Sequence, residues 1–393
     1  MRNTKEMTDY MGLAKQFSDE ERLVRETARD FVNEKVLPII DDYAQREEFP
    51  QQLIGEMGAL GFLGPTLPED YGCAGLSNIA YGLLMYELER GDSGMRSFAS
   101  VQGSLVMYPI FTYGSEEQKK RWLPRMATGD AVGCFGLTEP DFGSNPSGMK
   151  TRAVRNADGT WCINGAKMWI TNGSIADVAV VWAQTEGGVR GFLVEKGTKG
   201  FAAPRMKGKW SLRASVTSEL VFDNVIVSES SSILPNATSL KAPLSCLTQA
   251  RYGIAWGALG AADNCYQTAL DYAGSRIQFD RPIASFQLQQ RKLAEMVTEL
   301  TKGQLLAYQL GRLKDEGRYS PAQVSMAKMN NVNIAIEIAR TARTMLGANG
   351  IMGEYPIMRH MNNLESVYTY EGTHDMHTLI IGQEVTGIPA YRG

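Results

Sequence analysis

The chain changes texture twice, and that order limits its fold more than any other feature. Up to about residue 131, apolar residues recur at helical spacing; from "AVGCFGL" (131–137) to about 234 they fall in short runs separated by turn pairs; after "SILPNATS" (232–239) helical spacing returns. Ser18 with Glu21 forms a capping-box signature, and Leu23, Val24, Ala28, Phe31, Val32 and Val36 then mark one apolar helical face. Further helices are predicted at about 76–90, 98–112 and 115–127, the last opened by Ser115 with Gln118 three residues on. In the middle segment "ADG" precedes "TWCING", "EGG" precedes "VRGFLVEK", and "DN" separates "ELVF" from "VIV", the punctuation of hairpins. Near the end, Leu293, Met296, Val297 and Leu300 share one helix face, and Ile334, Ile338, Ala342 and Met345 another. An α+β architecture is expected, with a helical domain over 1–131, a β-domain over 132–238 and a helical bundle over 239–393.

This order excludes several common enzyme plans. A doubly wound sheet would alternate strand and helix, and the chain has neither G-x-G-x-x-G nor G-x-x-x-x-G-K-[ST] nor G-x-S-x-G. Net charge is −3 and the nearest basic run, "EEQKKR" (116–121), mixes both signs, so nucleic acid is not an expected partner. No stretch is long and apolar enough for a membrane span. The first residues, "MRNTKEMTDYMGLAKQFSDEERL", lack a secretory apolar core and are too acidic for a transit peptide. With five scattered cysteines and no C-x-x-C, a reducing cytoplasm is the expected location, or the mitochondrial matrix if a transit peptide has been removed.

Two of the three histidines lie in "TYEGTHDMH" (369–377), beside Glu371 and Asp375. Glu371-x-x-His374 has the spacing used by carboxylate-bridged di-metal bundles, but no second Glu-x-x-His exists, so no metal is expected and His374 and His377 are read as structural. Gly372 and Thr373 suggest something else. Glycine permits close backbone approach, and Thr373 can cap a helix beginning there. A carboxylate at such a junction, beside a free amide N–H, suits proton abstraction next to an oxyanion. A carboxylate favoured only by the helix dipole fits the same spacing.

Six stretches then make the chain recognisable: "CFGLTEPDFGSNP" (134–146), "KMWITNG" (167–173), "ARYGIAWGALGAA" (250–262), "RIQFDRPIASFQLQQRKLAEM" (276–296), "MLGANGI" (345–351) and "TYEGTHDMHTLIIG" (369–382). In this order they resemble the acyl-CoA dehydrogenases, from about residue 18 to the C-terminus. "GDSGMRSFASVQGSLVMYPI" (91–110), "YGSEEQ" and "TGIPAY" resemble the glutaryl-CoA-oxidising branch of that family. The resemblance implies a homotetramer built around FAD. Phe135, Leu137, Thr138, Gly143 and Ser144 match one flavin-lining stretch, and Trp169, Ile170 and Thr171 match the second. Arg276, Gln287 and Gly347 match positions that reach the FAD of a neighbouring subunit, while Thr373 and Tyr391 match further cofactor contacts. Composition alone favours "LGANG" as a helix C-cap and Trp169 as a core residue, and the combined order of the six stretches reverses that.

The same resemblance makes Glu371 the catalytic base, removing an α-proton from an acyl-CoA thioester. Ser144, Arg251 and Gly372 match substrate contacts. Arg96 and Ser97 match contacts to the distal carboxylate of glutaryl-CoA, with Glu89 and Tyr370 as further polar groups at that end. An arginine fork suits a carboxylate, whereas a fatty acyl pocket should end in apolar groups. Spacing alone favours the view that Glu89, Arg90, Asp92 and Arg96 form a solvated charged face. The implied reaction is oxidative decarboxylation of glutaryl-CoA to crotonyl-CoA and CO2, with an electron-transferring flavoprotein as acceptor; the alternative is a non-decarboxylating dehydrogenase of another short-chain or dicarboxylic acyl-CoA. Asn145, Asp280, Tyr368 and Tyr391 depart from the family pattern, where Asp, Gly, Asn and Phe are expected.

Overall fold

A computed structural model of the chain describes residues 7–390. Helices α1 (Asp19–Phe31), α2 (Ile40–Arg46), α3 (Ile54–Ala59), α4 (Asn78–Gly91), α5 (Ser93–Ser100), α6 (Tyr108–Tyr113) and α7 (Glu116–Ala127) come first. Both expected capping boxes form: Ser18 accepts from the Glu21 amide and Ser115 from the Gln118 amide, each reciprocated by the partner side chain. Leu23 is the exception on the predicted apolar face, since it stands 63% exposed. The helix predicted at 98–112 begins earlier, because the Asp92 carboxylate accepts from the Gly94 amide and starts α5 there. A π-helical stretch, Val101–Met107, joins α5 to α6. Gln102 within it donates to the carbonyls of Met126 and Ala131 and accepts from the Gly133 amide, tying the helices to the first strand.

Strands β1 (Gly133–Gly136), β2 (Arg152–Arg155), β3 (Thr160–Thr171), β4 (Val178–Thr185), β5 (Gly188–Glu195), β6 (Phe201–Ala202) and β7 (Thr217–Ser228) form one mixed sheet in the order β1-β4-β2-β3-β7-β6, with β5 also on β4. β1 runs parallel to β4, while β3 pairs antiparallel with β7. The β3–β7 register slips between Lys167 and Ile170. That bulge places Trp169 at φ +65° and leaves it 59% exposed, so it is not a core residue.

The short helix α8 (Glu229–Ser232) leads into the long α9 (Lys241–Ser275); a hairpin of β8 (Ile277–Gln278) and β9 (Arg281–Pro282) precedes α10 (Gln287–Asp315), α11 (Pro321–Met345), α12 (Ile357–Thr369) and α13 (His374–Thr386). The first and last thirds of the chain share one core, in which Leu83, Leu84, Trp256, Leu259, Ala335 and Leu364 are buried together. The sheet's two faces carry separate clusters. Val178, Val180 and Trp182 pack with helical residues such as Trp122, and Ala179, Val181 and Phe192 pack with Leu220. Met296, Leu300, Ile334, Ile338, Ala342 and Met345 are buried as their spacing predicts, and Leu293 and Val297 pack against them. Among the described residues, no helix is long and apolar enough to cross a membrane.

Candidate active site

The loop between α12 and α13 carries Tyr370, Glu371 and Gly372. Thr373 caps α13, its hydroxyl accepting from the Met376 amide at 3.2 Å. Glu371 takes φ +53°, a left-handed conformation uncommon outside glycine, and Gly372 follows at φ +95°. A Cβ on Gly372 would stand 3.0 Å from the His377 ring and 3.1 Å from an Arg251 nitrogen, so glycine fits both the angle and the space. The Glu371 Oε2 atom is buried without a hydrogen-bond partner. Burial pushes this carboxyl above the usual carboxylate range, against the opposing charges of Arg96, Arg251 and Lys328. This is the condition of a base kept poised rather than of a solvated carboxylate.

Cations surround the loop. Arg251, on α9, donates from Nε to the Glu371 carbonyl at 2.7 Å, and Lys328, on α11, donates to the carbonyls of Tyr370 and Gly372 at 3.0 and 2.8 Å. Burial lowers the Lys328 ammonium to about 7. Arg96, on α5, donates to the Tyr370 hydroxyl and forms a 2.6 Å ion pair with Glu89 of α4, both side chains fully buried. Ser93 donates to the other oxygen of Glu89 at 2.8 Å. The solvated face favoured by spacing is therefore ruled out: Glu89, Arg90, Asp92 and Arg96 are all buried and Ser97 with them. Their charges are met inside the fold, Arg90 by Glu87 and Asp92 by Arg359, each at 2.6 Å. Room for the Glu89–Arg96 pair comes from Gly257 of α9, where a Cβ would fall 2.1 Å from Glu89 Oε2 and 3.2 Å from Arg96 Nε. Burial acts against the Arg96 charge, but Glu89 and then Tyr370 hold its pKa above the ordinary value. Arg96 Nη1 remains buried and unpartnered.

His377 is fully buried, with both ring nitrogens unpartnered, and burial lowers it to about 2. His374 stacks on Tyr368 at 4.6 Å with rings nearly parallel, which gives the unusual tyrosine a packing role. Among the described residues, no three His, Cys, Asp or Glu side chains converge as a metal-ligand set.

The sheet holds a second group. Phe135 and Leu137 are buried at and just after the end of β1, Thr138 is half-buried, and Gly143, Ser144 and Asn145 lie exposed in the following loop. Ile170 is buried and Thr171 half-buried beside the outward-turned Trp169. The two stretches meet where the Met168 amide donates to the Thr138 carbonyl at 2.9 Å. Lys167, buried, clamps them by donating to the Leu137 carbonyl at 3.0 Å and to Glu139 at 2.9 Å. An exposed indole beside a strand end with threonines fits a flat heterocycle such as the flavin ring.

Arg276, Gln287 and Gly347 are all exposed. Arg276 and Gly347 line one surface cleft, with Gln278 and Asn349. Gly347 takes φ +59° just past α11, so the C-cap reading of "LGANG" also holds. Asp280 sits at φ +61° in the β8–β9 turn, a conformation that suits glycine and that aspartate tolerates. Tyr391 lies outside the described residues. Lys328, Lys167 and Gly257 also shape the site, and no motif in the sequence gives them a role.

Comparison with known proteins identifies the family. Family profiles described as acyl-CoA dehydrogenase N-terminal, middle and C-terminal domains match residues 18–130, 134–225 and 240–386. A Bacillus subtilis acyl-CoA dehydrogenase is 35% identical over 94% of this chain and 99% of its own length. The crystal structure of glutaryl-CoA dehydrogenase from Mycobacterium smegmatis is 60% identical, with a TM-score of 0.95 over 97% of this chain and 98% of the other. A glutaryl-CoA dehydrogenase structure from the same organism in complex with FADH2 is 55% identical, with the same TM-score and coverage. The chain thus belongs to the acyl-CoA dehydrogenase family.

Proposed function

We propose that the chain oxidises and decarboxylates glutaryl-CoA to crotonyl-CoA and CO2. The observation that carries this reading is the Arg96 guanidinium: fully buried, engaged by Glu89 and Tyr370, and left with Nη1 unpartnered on the side chain next to the base-bearing loop. An acyl chain ending in methyl would leave that buried donor unsatisfied, at about 1–3 kcal/mol. A terminal carboxylate satisfies it with a charge-assisted hydrogen bond. Ser97, Glu89 and Tyr370 complete this end of the pocket.

Glu371 removes the α-proton, and its own amide N–H would donate to the thioester oxygen as negative charge grows there. Bound FAD supplies the acceptor for the β-hydride. Glu371 then holds the proton. Loss of CO2 leaves its electron pair delocalised through the new double bond into the thioester, and Glu371 returns the proton to that dienolate. Ser144, Gly372 and Arg251 bind or orient the substrate. Phe135, Leu137, Thr138, Gly143, Trp169, Ile170, Thr171 and Thr373 would hold the flavin, and Arg276, Gln287 and Gly347 would reach the flavin nucleotide of a neighbouring copy in a homotetramer. The exposed Phe279, Leu288 and Ile351 support such an assembly. An electron-transferring flavoprotein is the proposed acceptor.

Steady-state kinetics with glutaryl-CoA and butyryl-CoA, together with trapping of CO2, test the proposal. Preference for glutaryl-CoA with one CO2 per turnover is expected. Preference for butyryl-CoA would refute the carboxylate role, and oxidation without CO2 would favour the non-decarboxylating alternative.

A further inference from the structure

Three consecutive carbonyls, those of Tyr370, Glu371 and Gly372, are each held by a buried cation. Lys328 takes the outer two and Arg251 the middle one. The segment they hold is strained: a non-glycine residue at φ +53° is stabilised only by its surroundings, at about 1–3 kcal/mol. Lys328 is 1% exposed, and its hydrogen-bond partners are both carbonyls rather than carboxylates. Burying an ammonium for two neutral acceptors is unfavourable for stability alone. An apolar side chain would avoid that penalty but would leave the Tyr370 and Gly372 carbonyls without this donor, so the lysine's presence is tied to holding the loop backbone.

We propose that Lys328 is a positioning residue for proton abstraction, fixing the backbone on both sides of Glu371 so that its carboxylate and its amide N–H keep one mutual geometry. An ammonium suits this task because it presents three donors from one atom and can bridge two carbonyls separated by one residue. A misplacement of about 1 Å in a catalytic group can lower a rate about a hundredfold. The charged and titratable groups facing Lys328 are Glu371 on the loop, Arg251 on α9, Arg96 on α5 and His377 on α13. The inference rests on the reading of Glu371 as the base.

The test compares Lys328→Met, Lys328→Gln and Glu371→Gln with the unaltered holoenzyme. Exchange of the α-hydrogen of butyryl-CoA in D2O, with the flavin kept reduced by dithionite, reports on the base without hydride transfer. Turnover, the Kd for glutaryl-CoA and FAD content are measured on the same samples. For Lys328→Met, exchange and kcat should fall about a hundredfold, while Kd and FAD content stay within about threefold. Lys328→Gln keeps donors for the carbonyls and should recover about tenfold of that loss. If Lys328→Met does not fold, Lys328→Gln is read alone, and an exchange rate within about threefold of the unaltered enzyme overturns the proposal. The same holds if Lys328→Met exchanges at the unaltered rate, or if kcat, binding and FAD content decline together as in a merely structural lesion. Unimpaired exchange by Glu371→Gln would instead remove the base assignment itself, whatever the lysine variants do.

Discussion

Replacing Arg96 by methionine separates substrate recognition from structure, provided both consequences are counted. The first falls on the fold: Glu89, fully buried, loses its 2.6 Å partner and keeps only the Ser93 hydroxyl. Breaking a buried pair in this way costs about 3–5 kcal/mol of stability. The second, under the proposed function, falls on the substrate. A desolvated carboxylate deprived of its arginine loses about 2–5 kcal/mol, which corresponds to roughly 30- to 5,000-fold in kcat/KM. Destabilisation lowers the rate with every acyl-CoA alike, whereas loss of the carboxylate contact lowers it only with glutaryl-CoA. The ratio of kcat/KM for glutaryl-CoA to that for butyryl-CoA therefore isolates the second effect. Pairing Arg96→Met with Glu89→Gln removes the orphaned charge and should restore part of the stability but none of the ratio. A ratio unchanged within about threefold in both variants would refute the reasoning.

Other perturbations follow from the same structure. Gly257→Ala would place a methyl 2.1 Å from Glu89 Oε2 and should destabilise the fold by about 1–3 kcal/mol in chemical denaturation while reducing the glutaryl preference. Lys167→Met leaves Glu139 without its cation and releases the Leu137 carbonyl; stability should fall by about 3–5 kcal/mol, and FAD should be lost more readily on dilution, as flavin fluorescence would report. His377 takes a proton only near pH 2 in the folded chain but near 6.5 when unfolded, so the unfolded state binds more protons between those values. Stability should accordingly fall with pH below 6.5, by about 1.4 kcal/mol per unit from this group. Denaturation of His377→Gln between pH 6.5 and 4.5 should show a slope shallower by about one proton; an unchanged slope would contradict the burial argument.

Much of this was legible in the sequence, for reasons that differ by element. Caps are local, so Ser18–Glu21, Ser115–Gln118 and Thr373 could be read directly. The buried faces of α10 and α11 follow from period alone. Glu371 and its neighbours stood out through composition and through resemblance. What could not be read was set by distant partners. Glu89, Arg90, Asp92 and Arg96 have the spacing of a wet face, yet α4 and α5 are buried, and Asp92 is paired with Arg359 and Arg96 bonded to Tyr370, both far along the chain. Trp169 reads as core on composition alone, and only the bulge in β3, which no periodicity announces, turns it outward. Lys328 sits among alanines and valines of α11, and a lysine there with Val324, Ala327 and Val332 buried around it was the available signal. It carried no meaning until Tyr370 and Gly372, more than forty residues later, were placed against it.

The most direct test of the account is an anaerobic titration of the FAD-loaded enzyme with glutaryl-CoA, followed by mass analysis of the acyl-CoA formed. Bleaching of the flavin absorbance at about one equivalent of substrate per site and a four-carbon crotonyl-CoA product with CO2 released are expected. An unbleached flavin, or a five-carbon unsaturated product that keeps its carboxylate, would contradict it.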